Sequence, residues 1–153
     1  MSTPIKKHLF AFAAAVTLTA ILASLCSTQF VVGGLTALGI EIPLARRIGM
    51  SFEDLGILQS LLPAIAASWL VGFPVAHVLA GRIGGNRHAW FAAAGGAALV
   101  AELLIIQSVL GVTPIAGARS TAGLLCQGLV GAIGGFLFAR MTRAPRVKDD
   151  LDA

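Results

Sequence analysis

Apolar residues run through this chain in four long stretches, broken by short clusters of glycine, proline, asparagine and charged residues. The stretches cover about 8–28, 58–80, 89–110 and 119–140. None alternates with period two, and none carries a broad polar face. Each is close to the ~20 residues that a helix needs to cross a ~30 Å hydrocarbon layer. In lipid a backbone must satisfy its own hydrogen bonds, which leaves the helix as the element for separate apolar runs. The pattern predicts an all-α integral membrane protein: an antiparallel bundle of four transmembrane helices, with a short interfacial segment between the first two.

The segments between the runs refine this picture. Lys6 and Lys7 open the first run, as in a signal peptide, but about 20 apolar residues exceed the usual signal-peptide core. An uncleaved span is expected, with cleavage after about Ser27 as the alternative. Leu25 before Cys26 excludes a lipoprotein signal. Residues 29–40 read as an extension of the first helix or as a short helix lying in the interface, since Gly33, Gly34 and Pro43 interrupt the run. A helical turn is expected near 44–48. Ser51-Phe52-Glu53-Asp54 reads as a helix start, with a hydroxyl cap and an acid three residues on. Pro63 and Pro74 lie inside the second run, where neighbouring helices can satisfy the groups they free. Gly81-Arg82-Ile83-Gly84-Gly85-Asn86-Arg87 is a tight basic turn, and Gly111-Val112-Thr113-Pro114 ends the third run. Residues 1–142 thus form one membrane domain, and 143–153 a charged, disordered cytoplasmic tail.

Composition agrees. Hydrophobic residues make up 57% of the 153 positions and charged residues 12%, against about 25% charged in an ordinary soluble domain. Mean hydropathy is +0.89. The net charge of +4 resides at the ends of apolar runs, where it marks topology rather than a nucleic-acid surface. Lys6, Lys7, Arg82, Arg87, Arg140, Arg143, Arg146 and Lys148 fall on one side of the predicted layout, and Arg46, Arg47 and Arg119 on the other. That asymmetry places both termini in the cytoplasm. Trp90, Phe10, Phe12, Phe91, Phe136 and Phe138 lie near the cytoplasmic span ends, as an aromatic belt would. Cys26 and Cys126 form no CxxC pair and read as two free, buried thiols, with a Cys26–Cys126 bridge as the alternative.

Glu102 is the acidic residue that does not fit. It sits about 13 Å inside the third run, counted from Gly111 at ~1.5 Å per residue. A charge there costs about 2.5–3.5 kcal/mol on insertion scales, so it defaults to a functional hypothesis. Gln127 lies at a similar depth in the fourth run. Gly95, Ala98 and Glu102 recur at helical spacing, and Arg119, Gly123, Gln127, Gly131 and Gly135 follow in steps of four. The expectation is a close helix pair packed on Gly95, Ala98, Gly123, Gly131 and Gly135, with a Glu102–Gln127 hydrogen bond. An ion pair to Arg119, or to a charge on a partner protein, is the alternative.

Other chemistry is thin. His8, His77 and His88 fall near one membrane surface and read as interfacial residues rather than metal ligands. The indole N–H of Trp69, near mid-span, needs an acceptor from Ser68, a carbonyl near Pro74, or a neighbouring helix. Gly84-Gly85 and Gly134-Gly135 lack the lysine and serine or threonine of a phosphate loop. No catalytic set of serine, histidine and carboxylate appears, so no enzyme, cofactor or metal is expected. Around Ser27-Thr28-Gln29-Phe30, Ile115-Ala116-Gly117-Ala118-Arg119 and Gly123-Leu124-Leu125-Cys126-Gln127, and again at Gly134-Gly135, the chain resembles small four-span bacterial inner-membrane proteins of no assigned activity. The expected role is an accessory or structural subunit, bound in the bilayer to copies of itself or to a different membrane protein. The alternative is a small transporter or channel subunit with Glu102 as a proton- or cation-linked site.

Overall fold

A computed structural model describes residues 3–39, 42–54, 56, 58–111 and 116–142. Five α-helices follow one another, with no strand among the described residues: α1 (Thr3–Ala37), α2 (Leu44–Asp54), α3 (Leu58–Ile83), α4 (Arg87–Leu110) and α5 (Thr121–Met141). A 3-10 turn, Ala116–Arg119, precedes α5. Four helices, all but α2, are long and apolar enough to cross a membrane. The expected tail at 143–153 and the loop at 112–115 lie outside the described residues.

Local chemistry sets the helix ends. Asn86 caps α4 by accepting the His88 N–H at 2.9 Å, and Ser120 caps α5 by accepting that of Gly123 at 3.0 Å. Each side chain satisfies an orphan donor of the first turn. Gly111 closes α4 in the left-handed region (φ 66°), its N–H donating to the Gln107 carbonyl. Gly84 and Gly85 also have positive φ and turn the chain from α3 to α4. The Trp90 indole braces that turn by donating to the Gly84 carbonyl at 2.9 Å.

At the start of the chain one of two open readings is found and one expectation changes. The first helix runs unbroken through Gly33 and Gly34 to Ala37, so the extension is the arrangement found. Ser51–Asp54 do not start a helix: they are the last residues of α2. The spacing of Leu44, Ile48 and Phe52 supports one helix across the whole segment, an i, i+4, i+8 pattern. Arg47 fastens α2 to the end of α1, donating to the Ile42 carbonyl at 3.2 Å and the Thr36 hydroxyl at 3.4 Å.

An aromatic cluster lies where the four long helices meet. Phe73 of α3 stacks on Phe138 of α5 at 4.7 Å and lies 5.3 Å from Phe91 of α4. Trp69 is 4.7 Å from Phe73. Phe12 of α1 meets Trp69, Phe73 and Phe138 edge-on. The belt expectation therefore divides: Phe91 and Phe138 are buried in the core and Phe12 packs against it, whereas Phe10 and Phe136 are exposed.

The tightest seam joins α4 to α5. A Cβ on Gly95 would strike the Gly131 carbonyl oxygen, and one on Gly131 would strike that of Gly95. A Cβ on Gly135 would strike the Phe91 carbonyl, and one on Gly96 would come within 2.7 Å of the Gly128 carbonyl. These backbones touch because no side chain stands between them. On the other flank of α5, Gly134 leaves room for Thr19 and the Trp69 ring. The free-cysteine expectation is also corrected: Cys26 and Cys126 form a disulfide that ties α1 to α5. The 100 residues between them hid the pair, because spacing along the chain says nothing about partners on two helices packed side by side.

Two measurements check this packing. In reversible unfolding from mild detergent, Gly131→Val is expected to cost about 1–3 kcal/mol by overpacking. Gly33→Ala, where nothing lies within 4 Å of the new methyl, is expected to cost nothing or to gain up to about 1 kcal/mol in helix propensity. The unreduced protein is expected to take up no maleimide at Cys26 or Cys126 until reductant is added.

Candidate functional site

The candidate site lies between α3 and α4. Alanines dominate the walls of a groove of about 780 Å³ there, among them Ala64 and Ala67 of α3 and Ala94, Ala98 and Ala101 of α4. Their short side chains leave the space open. Gly72 extends the narrow floor: a Cβ on it would lie 3.3 Å from the Ala98 Cβ. Into this apolar groove α4 delivers Glu102 and α3 delivers Ser68.

The carboxyl of Glu102 is poorly served. Both of its oxygens are buried, and neither has a hydrogen-bond partner. Ser68 lies within hydrogen-bonding reach of it. The Ser68 hydroxyl donates to the Ile65 carbonyl of its own helix at 3.0 Å, which leaves its oxygen to accept from the acid form of the carboxyl. A buried carboxyl without a donor is destabilising, and such groups call for an explanation.

The expected Glu102–Gln127 bond is not made. Gln127 is fully buried and turns to the opposite side of α5, where its amide donates to the Ala23 carbonyl of α1 at 3.0 Å. Its own oxygen has no partner. Arg119 stands exposed on the 3-10 turn and forms no hydrogen bond with the Glu102 carboxyl. Gly123 packs on the Gly117 carbonyl of that turn rather than on α4. Gly131 and Gly135 do face α4, as does Gly95 in return, while Ala98 meets α3 through Gly72. The step-of-four row from Arg119 to Gly135 is thus split among three neighbours. Each step of four advances a helix by about 40° beyond a full turn, so a long row winds off one face.

Ser68 was legible as the neighbour of Glu102 by another route. Both residues lie 17 positions from Gly85, at the turn joining their helices, so they are level across that hairpin. Counting depth from the following loop instead pointed to Gln127.

The remaining polar groups serve packing. Trp69 finds its acceptor on a neighbouring helix, donating to the Gly95 carbonyl at 3.3 Å. The Ser27 hydroxyl accepts the Gly117 N–H at 3.1 Å, holding the 3-10 turn on α1. The histidines separate: His8 and His77 line one pocket, while the ring of His88 lies 5.3 Å from that of Phe136. Among the described residues no three His, Cys, Asp or Glu side chains gather as metal ligands would.

No family model, curated protein or solved structure matches the chain, so the chemistry of the groove itself carries the functional reading.

The two buried polar side chains are expected to respond oppositely to substitution. Glu102→Leu removes an unpartnered carboxyl and should raise stability, by up to about 3 kcal/mol on the insertion scale. Gln127→Leu removes a made bond and should lower it, by about 0.6 kcal/mol. Unfolding titrations in one detergent read both.

Proposed function

We propose that the chain is an integral membrane protein whose four long helices cross the bilayer as an antiparallel bundle. Its role is that of an accessory subunit that binds a helix of a different membrane protein in the α3–α4 groove. Several features support the bilayer setting. Large apolar side chains such as Leu70, Val71, Ile105, Val109, Leu125 and Leu129 are exposed around the bundle. In water such a surface would be a severe aggregation liability, whereas in lipid it is well solvated. Contacts of Phe91 with Gly135, Gly95 with Gly131, and Gly96 with Gly128 run in opposite chain directions, as neighbouring antiparallel spans do.

Orientation follows from charge. The end holding Lys6, Lys7, Arg82, Arg87 and Arg140 faces the cytoplasm by the positive-inside rule. The Cys26–Cys126 bond lies toward the opposite end, which suits an oxidising compartment. At ~1.5 Å per residue the 33-residue apolar part of α1 is about 50 Å long. Its last turns therefore outreach a ~30 Å core and carry α2 to the outer surface.

One observation carries the partner assignment: Glu102, whose carboxyl is buried with Ser68 as its polar neighbour, lines an alanine-walled groove. Small residues on both walls allow another helix to approach closely. The carboxyl then meets a lysine, an arginine or a hydrogen-bond donor at its own depth, and the cost of its burial is offset in the complex. A second copy of this chain offers hydrogen-bond donors but no cation at that depth, because the lysines and arginines of its spans lie at their ends, so a cation there must come from a different protein. Transport fits less well. Around Glu102 the groove walls are almost wholly apolar, with Ser68 as the other polar side chain at that depth, and a permeation path needs a polar route.

A designed Leu/Ala transmembrane peptide with a single central lysine serves as the probe. In lipid vesicles, energy transfer should report association roughly tenfold tighter than for the all-apolar peptide, and Glu102→Leu should abolish the difference. Equal association of both peptides, or a lysine preference that survives Glu102→Leu, would refute the assignment.

A further inference from the structure

A second pocket lies at the basic end of the bundle, on the side away from Glu102. It encloses about 420 Å³. Its floor is the aromatic cluster, with Trp69, Phe73, Phe91 and Phe138 all buried. Its polar groups gather at one end: His8 of α1, His77 of α3 and Arg87 of α4. The remaining wall, which includes Leu70 and Pro74, is apolar. A pocket that is aromatic along its length and cationic at its mouth matches an amphiphile, and specifically an anionic one.

Arg87 is held where it can serve. Its guanidinium donates to the Ala139 carbonyl at 2.7 Å and to the Thr142 hydroxyl at 2.9 Å, and it sits 4.7 Å above the Phe91 ring. These contacts use two of five N–H donors, fix the side chain at the pocket edge and leave the rest for a ligand. The surroundings reinforce the charge. Lys6, Lys7, Arg82 and Arg140 belong to the same end, and the described acidic residues Glu53, Asp54 and Glu102 lie elsewhere in the chain.

We infer that this pocket binds an anionic phospholipid of the surrounding leaflet. The phosphate is met by Arg87 with His8 and His77, and one acyl chain lies along the aromatic floor. Basic pockets between transmembrane helices on the cytoplasmic side are a recurrent way of holding anionic headgroups. The inference rests on the bilayer reading above. It is independent of Glu102 and of any partner helix.

The chain has two tryptophans, so Trp90→Phe leaves Trp69, inside the pocket, as the sole reporter. This variant is reconstituted in phosphatidylcholine vesicles containing acyl-brominated phosphatidylglycerol or, separately, acyl-brominated phosphatidylcholine, both of which quench indole at contact. The glycerol lipid should show a relative binding constant at least about fivefold higher, the effect of one basic group near the membrane surface. His77→Glu places a negative charge at an exposed position without touching the Arg87 contacts, and it should remove the excess. Unbrominated phosphatidylglycerol should restore fluorescence, and inorganic phosphate should not. Equal quenching by both brominated lipids, an excess that survives His77→Glu, or relief by inorganic phosphate would each overturn the lipid site while leaving the bilayer reading intact. Absence of quenching by either lipid would overturn the lipid site, and, because Trp69 is buried, would leave the bilayer reading intact.

Discussion

The contact between the backbones of α4 and α5 is the constraint on which the other features depend. Gly95 and Gly131 face each other with no room for a side chain on either, and Gly96 and Gly135 extend the contact toward Gly128 and Phe91. That approach brings the Gly95 carbonyl within reach of the Trp69 indole. It also sets Phe91 beside Phe138 at 5.6 Å, which completes the aromatic cluster. In the proposed bilayer setting no hydrophobic force drives helices together, so association would rely on such packing and on a few polar bonds. The glycines are the condition for the packing, and the aromatics fill the space that it defines.

The polar residues then divide by what they do for the fold. Ser27, Gln127 and the Cys26–Cys126 bond lie along one side of α1 and stitch it to α5 and its preceding turn. These contacts explain why a helix whose packing against α3 is much less extensive than its packing against α5 is nonetheless held. Glu102 contributes nothing comparable. Its carboxyl is buried beside a groove that its own chain leaves unfilled, and this position weakens the chain by itself. The proposed partner helix would offset that cost.

Much of this was legible in the residues. Four apolar runs and their glycine, asparagine and proline boundaries located the long helices, and the contact of Gly95 with Gly131 and Gly135 followed from small residues at helical spacing. The depth of Glu102 marked it as out of place. Its neighbour was not legible from depth alone, because Ser68 and Gln127 lie at similar levels on two different helices. Which one it meets is decided by rotation about the α4 axis, which depth along the helix does not report. The same limit explains Gln127 and Gly123, which share a row with Gly131 but face other elements. The disulfide was hidden for a related reason, since the pairing of α1 with α5 is a property of the whole bundle. The aromatics misled because residues near a span end suit both a boundary and a core.

Oxidative cross-linking in lipid vesicles tests the α4–α5 contact most directly, in a background where Cys26 and Cys126 are serine. A Cβ on Gly128 would lie 3.1 Å from the Val100 Cγ2, whereas Leu129, the next residue, points outward and is exposed. The pair Val100→Cys with Gly128→Cys should form a bond rapidly under mild oxidation, and Val100→Cys with Leu129→Cys should not. Equal yields from the two pairs, or no bond from the first, would contradict a bundle built on backbone contact between these helices.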